Sequence, residues 1–148
     1  MNLRALTLLL PELKATAVEI NEKASKICAE IPRVSVINDS IYNFSADEQF
    51  DLTFTSGVLI HINPGRLGEV YDKLYKYSKK YILISEYYNP TPVEVNYRGN
   101  ADRLFKRDFA GEFMDKYTDT KLIDYGFFYH RDKQFPNDDT TWFLMEKS

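Results

Sequence analysis

The sequence predicts an α/β fold whose sheet is parallel in its body and ends in an antiparallel pair of strands. Segments with helical periodicity alternate with short apolar runs of strand length, the pattern of a mainly parallel sheet covered by helices. The chain then finishes in two strand-like runs, residues 121–130 and 140–147, with a polar loop between them. Because 148 residues is near the usual size of one domain, a single domain over residues 1–148 is expected.

Composition and charge exclude several classes of protein. Hydrophobic residues make up 44% of the chain and charged residues 28%, which excludes a disordered or low-complexity protein. The net charge of −3 gives no overall attraction to nucleic acid or to an anionic membrane. The early apolar run of residues 5–10 is too short for a signal peptide or a membrane span. A single cysteine, Cys28, fits a reducing compartment, so a cytoplasmic protein is expected.

The first forty residues predict two helices that alternate with two strands. The second helix is expected to turn Ile27 and Cys28 inward. Each strand ends in polar residues, with Glu19 after the first and Asp39 and Ser40 after the second. The predicted ranges are 1–10 and 21–30 for the helices and 14–20 and 34–38 for the strands. The apolar face of the first helix consists of Leu3, Leu6, Leu9 and Leu10.

The rest of the chain continues the alternation. A strand over 50–55 leads into Ser56 and Gly57, and Asn63 with Pro64 then begins a helix as cap and first residue. A continuous apolar strand over 81–85 is typical of one buried on both faces. The inward face of the helix is Leu67, Val70, Tyr71, Leu74, Tyr77 and Ser78.

A polar connection over 89–107 is expected after the apolar strand, which ends in Glu86, Tyr87 and Tyr88. Asp108 then caps a helix that carries an aromatic series at four-residue spacing. The series is Phe109, Phe113 and Tyr117.

Ligands of parallel sheets bind at the carboxyl ends of the strands, which directs attention to the polar residues there. A carboxylate at Glu19 suits the two hydroxyls of a ribose, and the alternative is a solvated loop carboxylate. Asp39 can accept a hydrogen bond from an adenine amino group, with Ser40 beside the ring, or it can cap the following segment. In dinucleotide-binding folds the acidic residue lies roughly 20 residues after a glycine-rich loop. Counted back from Glu19, that loop falls at or before Met1.

The residues resemble a known family. The runs that carry the resemblance are AVEINEKA, VINDSI and FDLTFTSGVLIHINPGRLGEVYDKLYKYSKKYILISEYYNP. They are similar to the body of a class I S-adenosylmethionine (SAM)-dependent methyltransferase with its Rossmann-like sheet. More narrowly, EYYNPTPVEVNYRGNADRLFKRDFAGEFMD resembles the methylases associated with pseudaminic acid biosynthesis.

The resemblance implies a cofactor and its ligands. It makes SAM the cofactor, Glu19 the ribose ligand and Asp39 the adenine ligand, with Ser56 and Gly57 beside the methionine end. The glycine motif of the family is missing, so we expect an N-terminally truncated fold that lacks the first strand and binds cofactor weakly or not at all.

Two residues are candidates for acid–base chemistry. His61, shortly after the third strand, can act as the general base for an alcohol acceptor, or it can be a structural histidine before Asn63. Glu86 can be a base or a hydrogen-bond acceptor for substrate, or a carboxylate paired with arginine. Two histidines and one cysteine without close spacing predict no metal site.

The acceptor site is expected among aromatic and basic residues. Flat rings can stack on sugar faces, and arginines can bind a carboxylate or phosphate of an anionic sugar. Asp102 and Asp108 can instead neutralise the basic residues in a solvated network. The candidate rings are Tyr87, Tyr88 and Tyr97, and the basic cluster is Arg98, Arg103, Lys106 and Arg107, with Arg98 preferred for the anion and Arg107 next.

Two other functions compete with methyl transfer to a small polar acceptor. One is a non-catalytic remnant of the fold that does not bind cofactor, and the other is a different nucleotide-binding module. The missing first strand would leave two strand edges unpaired, and open edges invite pairing. We therefore expect the strand ending at Glu19 to pair with the strand ending at Thr55, or an edge to pair with another copy in a homo-oligomer.

Overall fold

The structure is a computed structural model that describes residues 2–97 and 100–148, with the side chains of 2–95 and 104–148. The chain divides into two compact units, Met1–Ala46 and Asp47–Ser148, which are described separately. The expected single domain therefore stays a prediction.

The first unit is two helices and a two-stranded parallel sheet. The strands lie side by side in register, with Ala15 opposite Val34 and Val18 opposite Ile37. Asn21 caps the second helix, accepting a hydrogen bond from the amide of Ala24 at 3.0 Å. The elements are α1 (Asn2–Leu9), β1 (Ala15–Val18), α2 (Glu22–Ala29) and β2 (Val34–Ile37).

The predicted faces of these two helices are wrong in part. Ile27 is 56% exposed, because α2 turns Ser25 inward and a residue two positions further on lies about 200° around the helix. Cys28 is half-buried. In α1 the buried residue is Thr7, whereas Leu9 and Leu10 are exposed beside it at the helix end.

The second unit contains a four-stranded sheet with strand order β3-β4-β8-β7. The β3–β4 pair is parallel, whereas β8 runs antiparallel to both β4 and β7, as the sequence predicted. A separate antiparallel hairpin consists of β5 and β6. The elements are β3 (Phe50–Ser56), α3 (Leu67–Tyr77), β4 (Ser78–Glu86), β5 (Val93–Tyr97), β6 (Asn100–Lys106), α4 (Phe109–Lys116), β7 (Thr120–Phe127) and β8 (Thr141–Lys147), with short 3₁₀ helices at Leu59–His61 and Pro64–Arg66.

Two sequence expectations about pairing and loops are wrong. Among the described strands β1 pairs with β2 and not with the strand ending at Thr55, so the first alternative is wrong, whereas pairing of an edge with another copy stays a prediction. Residues 89–107 were expected to be a polar connection, but they contain the β5–β6 hairpin. Among its described side chains Leu104 is buried. Val93, Val95 and Tyr97 alternate with polar residues in the sequence, a strand pattern that the expectation of a polar connection overlooked.

Helices α3 and α4 pack against each other through aromatic rings. The predicted inward face of α3 is buried, and Asn63 caps the preceding 3₁₀ turn by accepting from the amide of Gly65. The Tyr71 and Phe113 rings meet edge to face at 5.7 Å, and Tyr75 and Tyr117 stack at 3.9 Å. This packing fixes both helices on one face of the four-stranded sheet.

A glycine contact shapes the outer part of this sheet. Gly126 of β7 lies opposite Trp142 of β8, and Trp142 lies opposite Ser85 of β4. A Cβ atom at Gly126 would be 2.7 Å from the indole ring, so only glycine fits there without a shift. The tryptophan ring therefore covers β7 at this point.

Candidate functional site

The carboxyl ends of β1 and β2 hold two of the predicted cofactor residues together. The amide of Glu19 donates to the carbonyl of Ile37 at 3.0 Å, and the side chain of Asn38 donates to the carbonyl of Glu19 at 2.7 Å. The Glu19 carboxylate accepts from the amide of Asn21 at 2.7 Å. Glu19 and Asp39 thus follow neighbouring parallel strands at one edge of the first unit's sheet.

Asp39 is an exposed carboxylate that is held by its own turn. It accepts from the side-chain amide of Asn43 at 2.9 Å and from the backbone amide of Ser40 at 2.6 Å. These two donors, Asn43 first, lower the pKa of Asp39 below its ordinary value. Asp39 is therefore ionised at neutral pH, and Ser40 lies half-buried beside it.

In the second unit, Ser56 is the last residue of β3 and Gly57 follows it. Ser56 lies opposite Ser85, and the amide of Gly57 donates to the Ser85 carbonyl at 3.0 Å. Gly57 has φ of 65°, a left-handed conformation that favours glycine. A Cβ there would have open space around it. The strand end is thus a sharp, exposed backbone turn.

Glu86, the last residue of β4, lies beneath that turn. It is 2% exposed, and its carboxyl group accepts from the amides of Val58 at 3.1 Å and Ile60 at 3.5 Å. Burial raises the pKa of Glu86, and the amide donors oppose that effect. The donors that face Glu86 are the amides of residues 58–60 and the side chain of Thr55, rather than an arginine.

His61 ends the 3₁₀ helix that begins at Leu59. Its side chain is exposed, and its amide donates to the carbonyl of Val58 at 3.0 Å. The structure thus brings Gly57, His61 and Glu86 together through one short segment.

The expected acceptor residues follow β4 and precede α4. The Tyr87 hydroxyl donates to Asp138 at 3.0 Å, and the Lys106 ammonium lies 5.0 Å from the Tyr87 ring centre. Tyr88 is 42% exposed. Arg107 is paired with a different acid from those the sequence suggested, since its Nε atom lies 2.6 Å from Glu112.

Some of the predicted acceptor residues lie outside the described part of the chain. They are Arg98 and the side chains of Tyr97 and Arg103.

Sequence reasoning missed a partly buried network around Arg107. Glu112 accepts from Arg107 and, at 3.1 Å, from the Tyr71 hydroxyl. Burial, followed by the charge of Glu112, raises the pKa of Tyr71. The four-residue spacing of aromatic positions on α4 gave no sign of this polar contact.

An aromatic groove of about 480 Å³ also went unpredicted. It lies between α4, strand β7 and the start of β8, next to Tyr88. Its walls are mainly apolar, with the Tyr88 and Phe143 ring centres 5.9 Å apart. The groove is lined by Tyr88, Asp108, Gly111, Met114, Leu122, Tyr125, Gly126, Phe127, Thr141 and Phe143.

Comparisons with solved structures define the fold. The chain is similar to the N-methyltransferase NodS from Bradyrhizobium japonicum, with a TM-score of 0.72 and 15% identity over 97% of this chain and 80% of that one. It is also similar to the 1,6-didemethyltoxoflavin N1-methyltransferase of Burkholderia thailandensis with bound 1,6-didemethyltoxoflavin and S-adenosylhomocysteine (SAH), with a TM-score of 0.70 and 11% identity. That match covers 99% of this chain and 77% of the other.

The chain has a SAM-dependent methyltransferase fold. A third neighbour supports this, the glycopeptide N-methyltransferase MtfA with bound SAH, at a TM-score of 0.67 and 13% identity over 95% of this chain and 76% of that one. At these identities the likeness is one of fold. No protein-family model matches the chain, and no curated protein matches it.

The described residues contain no group of three or more His, Cys, Asp or Glu placed to hold a metal ion. None of the helices in the described ranges has the length and apolar character that a membrane crossing requires.

Proposed function

We propose that this chain binds SAM and transfers its methyl group to a small polar acceptor related to sugars. The observation that supports the proposal is the pair of carboxylates, Glu19 and Asp39, that follow neighbouring parallel strands in a methyltransferase fold. Ligands of such sheets bind where strands end.

The first unit fits the nucleoside part of SAM. Neighbouring strands are about 4.8 Å apart, so the two carboxylates can serve adjacent groups of one nucleoside. In this proposal Glu19 accepts from both ribose hydroxyls, and Asp39, which is ionised, accepts from the adenine amino group with Ser40 beside the ring.

The second unit fits the amino-acid part. The exposed turn at Ser56 and Gly57 has no side chain beyond Ser56, and the space above Gly57 is open, so a ligand can approach the backbone closely. When bound, SAM supplies a methyl group on a positively charged sulfur. The protein's task is then to hold the acceptor in line with that methyl group.

His61 is the base in this proposal. Its exposed imidazole would take the proton from an acceptor hydroxyl onto a ring nitrogen as the oxygen acquires the methyl group. Glu86 is too deeply buried to meet an acceptor in the same way. We therefore assign the proton transfer to His61 and a different role to Glu86.

We further propose an anionic sugar of the nonulosonic or pseudaminic acid type as the acceptor. The resemblance of residues 86–115 to pseudaminic acid-associated methylases supports this choice. Tyr87, Tyr88 and Tyr97 would stack on the sugar. Since Arg107 is already paired with Glu112, Arg98 is the preferred partner of the anion.

NMR titration of the labelled chain with SAH tests the cofactor proposal. We expect amide shifts at residues 19–21, 39–40 and 56–61. Glu19→Ala removes charge-assisted hydrogen bonds worth roughly 1.5–3 kcal/mol, which should abolish these shifts at the same SAH concentration.

Glu22→Ala is the matched control for that titration. Glu22 begins α2, three residues after Glu19, and its carboxylate pairs with Lys26 at 2.6 Å. Its removal should leave the SAH shifts intact. Absence of shifts in the wild type at about millimolar SAH, or equal shifts in Glu19→Ala, would refute the proposal.

A methylation assay with an anionic nonulosonic acid tests the acceptor. Arg98→Ala should raise KM for that acceptor while the SAH-induced shifts stay as in the wild type. An unchanged KM would remove Arg98 from the acceptor site.

A further inference from the structure

We propose that Glu86 is a positioning residue, which holds the backbone of residues 58–60 and thereby places Gly57 and His61 for ligand binding. The consequence for methyl transfer rests on the proposed function, whereas the effect on the backbone does not. The segment Val58–His61 is called the turn segment below.

Two consecutive residues of β4 hold Gly57 and the turn segment. The Ser85 carbonyl accepts from the amide of Gly57 at 3.0 Å, and the Glu86 carboxyl group accepts from Val58 at 3.1 Å and from Ile60 at 3.5 Å. Both partners are 26 to 28 residues away from Glu86 in the chain. These contacts therefore join the carboxyl ends of β3 and β4.

The turn segment needs such a partner because its first amides have no partners within a 3₁₀ helix. The first amides of a helix point away from its own carbonyls and require another acceptor. Val58 makes no cap with its own side chain. A carboxyl group from β4 meets this need, and the buried Leu59 and Ile60 side chains then hold the segment against the core.

The strand position of Glu86 makes it a rigid support. It lies opposite Thr141 of β8, so β4 is hydrogen-bonded on both sides, to β3 and to β8. At 2% exposure, Glu86 has almost no surface with which to touch a ligand. Its influence on a bound molecule must therefore pass through Gly57 and His61.

A pair of variants at the two ends of β4 tests this role. Glu86→Gln keeps the shape of the side chain but turns an NH₂ group toward peptide donors. Ser78→Ala is the matched control, since Ser78 is fully buried at the start of β4 and its hydroxyl donates to the Tyr81 carbonyl at 2.8 Å. Both variants lose a buried polar contact of the same strand, but only the first contact reaches the turn segment.

Amide hydrogen exchange by NMR gives the first readout. The measured quantity is the ratio of the exchange rates of the Val58 and Ile60 amides to those of the Ile82 and Ile84 amides. In Glu86→Gln this ratio should be at least about tenfold higher than in the wild type. Ser78→Ala should leave this ratio unchanged. Equal ratios in the two variants would overturn the proposal.

Titration with SAH gives the second readout. Glu86→Gln should weaken binding at least about fivefold, and Ser78→Ala should stay within about twofold of the wild type. Faster exchange with unchanged affinity would overturn the placement of the ligand-binding residues. If the wild type does not bind SAH, the proposed function fails, and the exchange result still decides whether Glu86 holds the turn segment.

A measurement on the wild type covers the case in which Glu86→Gln does not fold. A long-range HNCO spectrum should correlate the amide nitrogen of Val58 with the side-chain carboxyl carbon of Glu86 across the hydrogen bond. Absence of that correlation in a folded, assigned sample would overturn the proposal.

Discussion

Glu86 lies almost out of contact with water, among the backbone amides of residues 58–60 and the side chain of Thr55. Burial raises its pKa, so the folded chain holds this proton to a higher pH than the unfolded chain does. Between the ordinary carboxyl pKa and the raised one, folding takes up a proton. The free energy of unfolding contributed by this group therefore falls as pH rises through that window.

We expect the wild type to lose stability relative to Glu86→Gln as pH rises from about 4.3, the ordinary glutamate value. Urea denaturation of both proteins at several pH values measures the difference between their free energies of unfolding. The contributions of most other titratable groups are the same in both proteins and cancel in this difference. The nearby Tyr71 stays neutral in this range because burial and acidic neighbours raise its pKa. A difference that is constant with pH would contradict the raised pKa of Glu86.

Gly57 provides a second prediction at the scale of one residue. Its φ of 65° is unfavourable for any side chain, so Gly57→Ala should lower the free energy of unfolding by about 1 kcal/mol. Gly68→Ala is the control, because a Cβ there lies 3.6 Å from Lys116 at an ordinary contact distance within α3. Chemical denaturation of both variants compares them, and equal losses would show that φ is not the cause.

The sequence predicted which residues lie at strand ends better than it predicted what surrounds them in the fold. Polar residues after apolar runs located Glu19, Asp39 and Gly57 at strand ends, since a strand pattern is local. It could not predict the burial of Glu86. That burial depends on Val58 and Ile60, which lie 26 to 28 residues earlier in the chain.

At the scale of elements, the start of α4 depends on a side-chain cap. Asp108 accepts from the amide of Gly111 at 2.8 Å, and loss of such a cap typically costs about 1 kcal/mol. Asp108→Ala should therefore lower the free energy of unfolding by roughly that amount. The exposed Asp115, near the other end of α4, is the control, and Asp115→Ala should change stability by less than about 0.5 kcal/mol. Urea denaturation measures the free energy of unfolding of both variants. Similar losses in Asp108→Ala and Asp115→Ala would argue against a capping role for Asp108.

Most elements with a strong apolar pattern were predicted well. The inward face of α3 and the strand 81–85 follow from spacing alone, and both are buried or central in the structure. The β5–β6 hairpin was missed although Val93, Val95 and Tyr97 alternate with polar residues in β5, because β6 lacks that alternation. The error at Ile27 has a different origin, since a short helix with few apolar positions defines its inner face poorly.

At the scale of the whole molecule, the two units differ in how much they bury. The first has a two-stranded sheet, and its buried apolar side chains are Ile31 and Phe44, each 8% exposed. The second has a four-stranded sheet around side chains such as Ile82 and Phe113, which are fully buried. Small sheets with little buried apolar surface open more readily.

Native-state hydrogen exchange should therefore separate the units. We expect the amides of β1 and β2 to exchange much faster than those of β4, because local opening of the first unit exposes less apolar surface. Equal protection of β1 and β4 would show that the whole chain opens as one cooperative body.

The fold class itself was predictable, since the order of helices and strands along the chain selects a parallel sheet with an antiparallel end. The division into two units was not, because it depends on which elements contact each other. The aromatic groove beside Tyr88 was unpredictable for the same reason, as its walls come from α4, β7 and β8.

The contact between Gly126 and Trp142 has an optical consequence. The chain contains one tryptophan, Trp142. It lies in β8, opposite Ser85 of β4 on one side and Gly126 of β7 on the other, and the carbonyl of Ser85 accepts from the amide of Gly57. Its indole emission is therefore an unlabelled reporter from the same end of the sheet as the candidate site. A shift in its colour or intensity on adding a ligand would reveal events there in the native chain, without any dye or substitution.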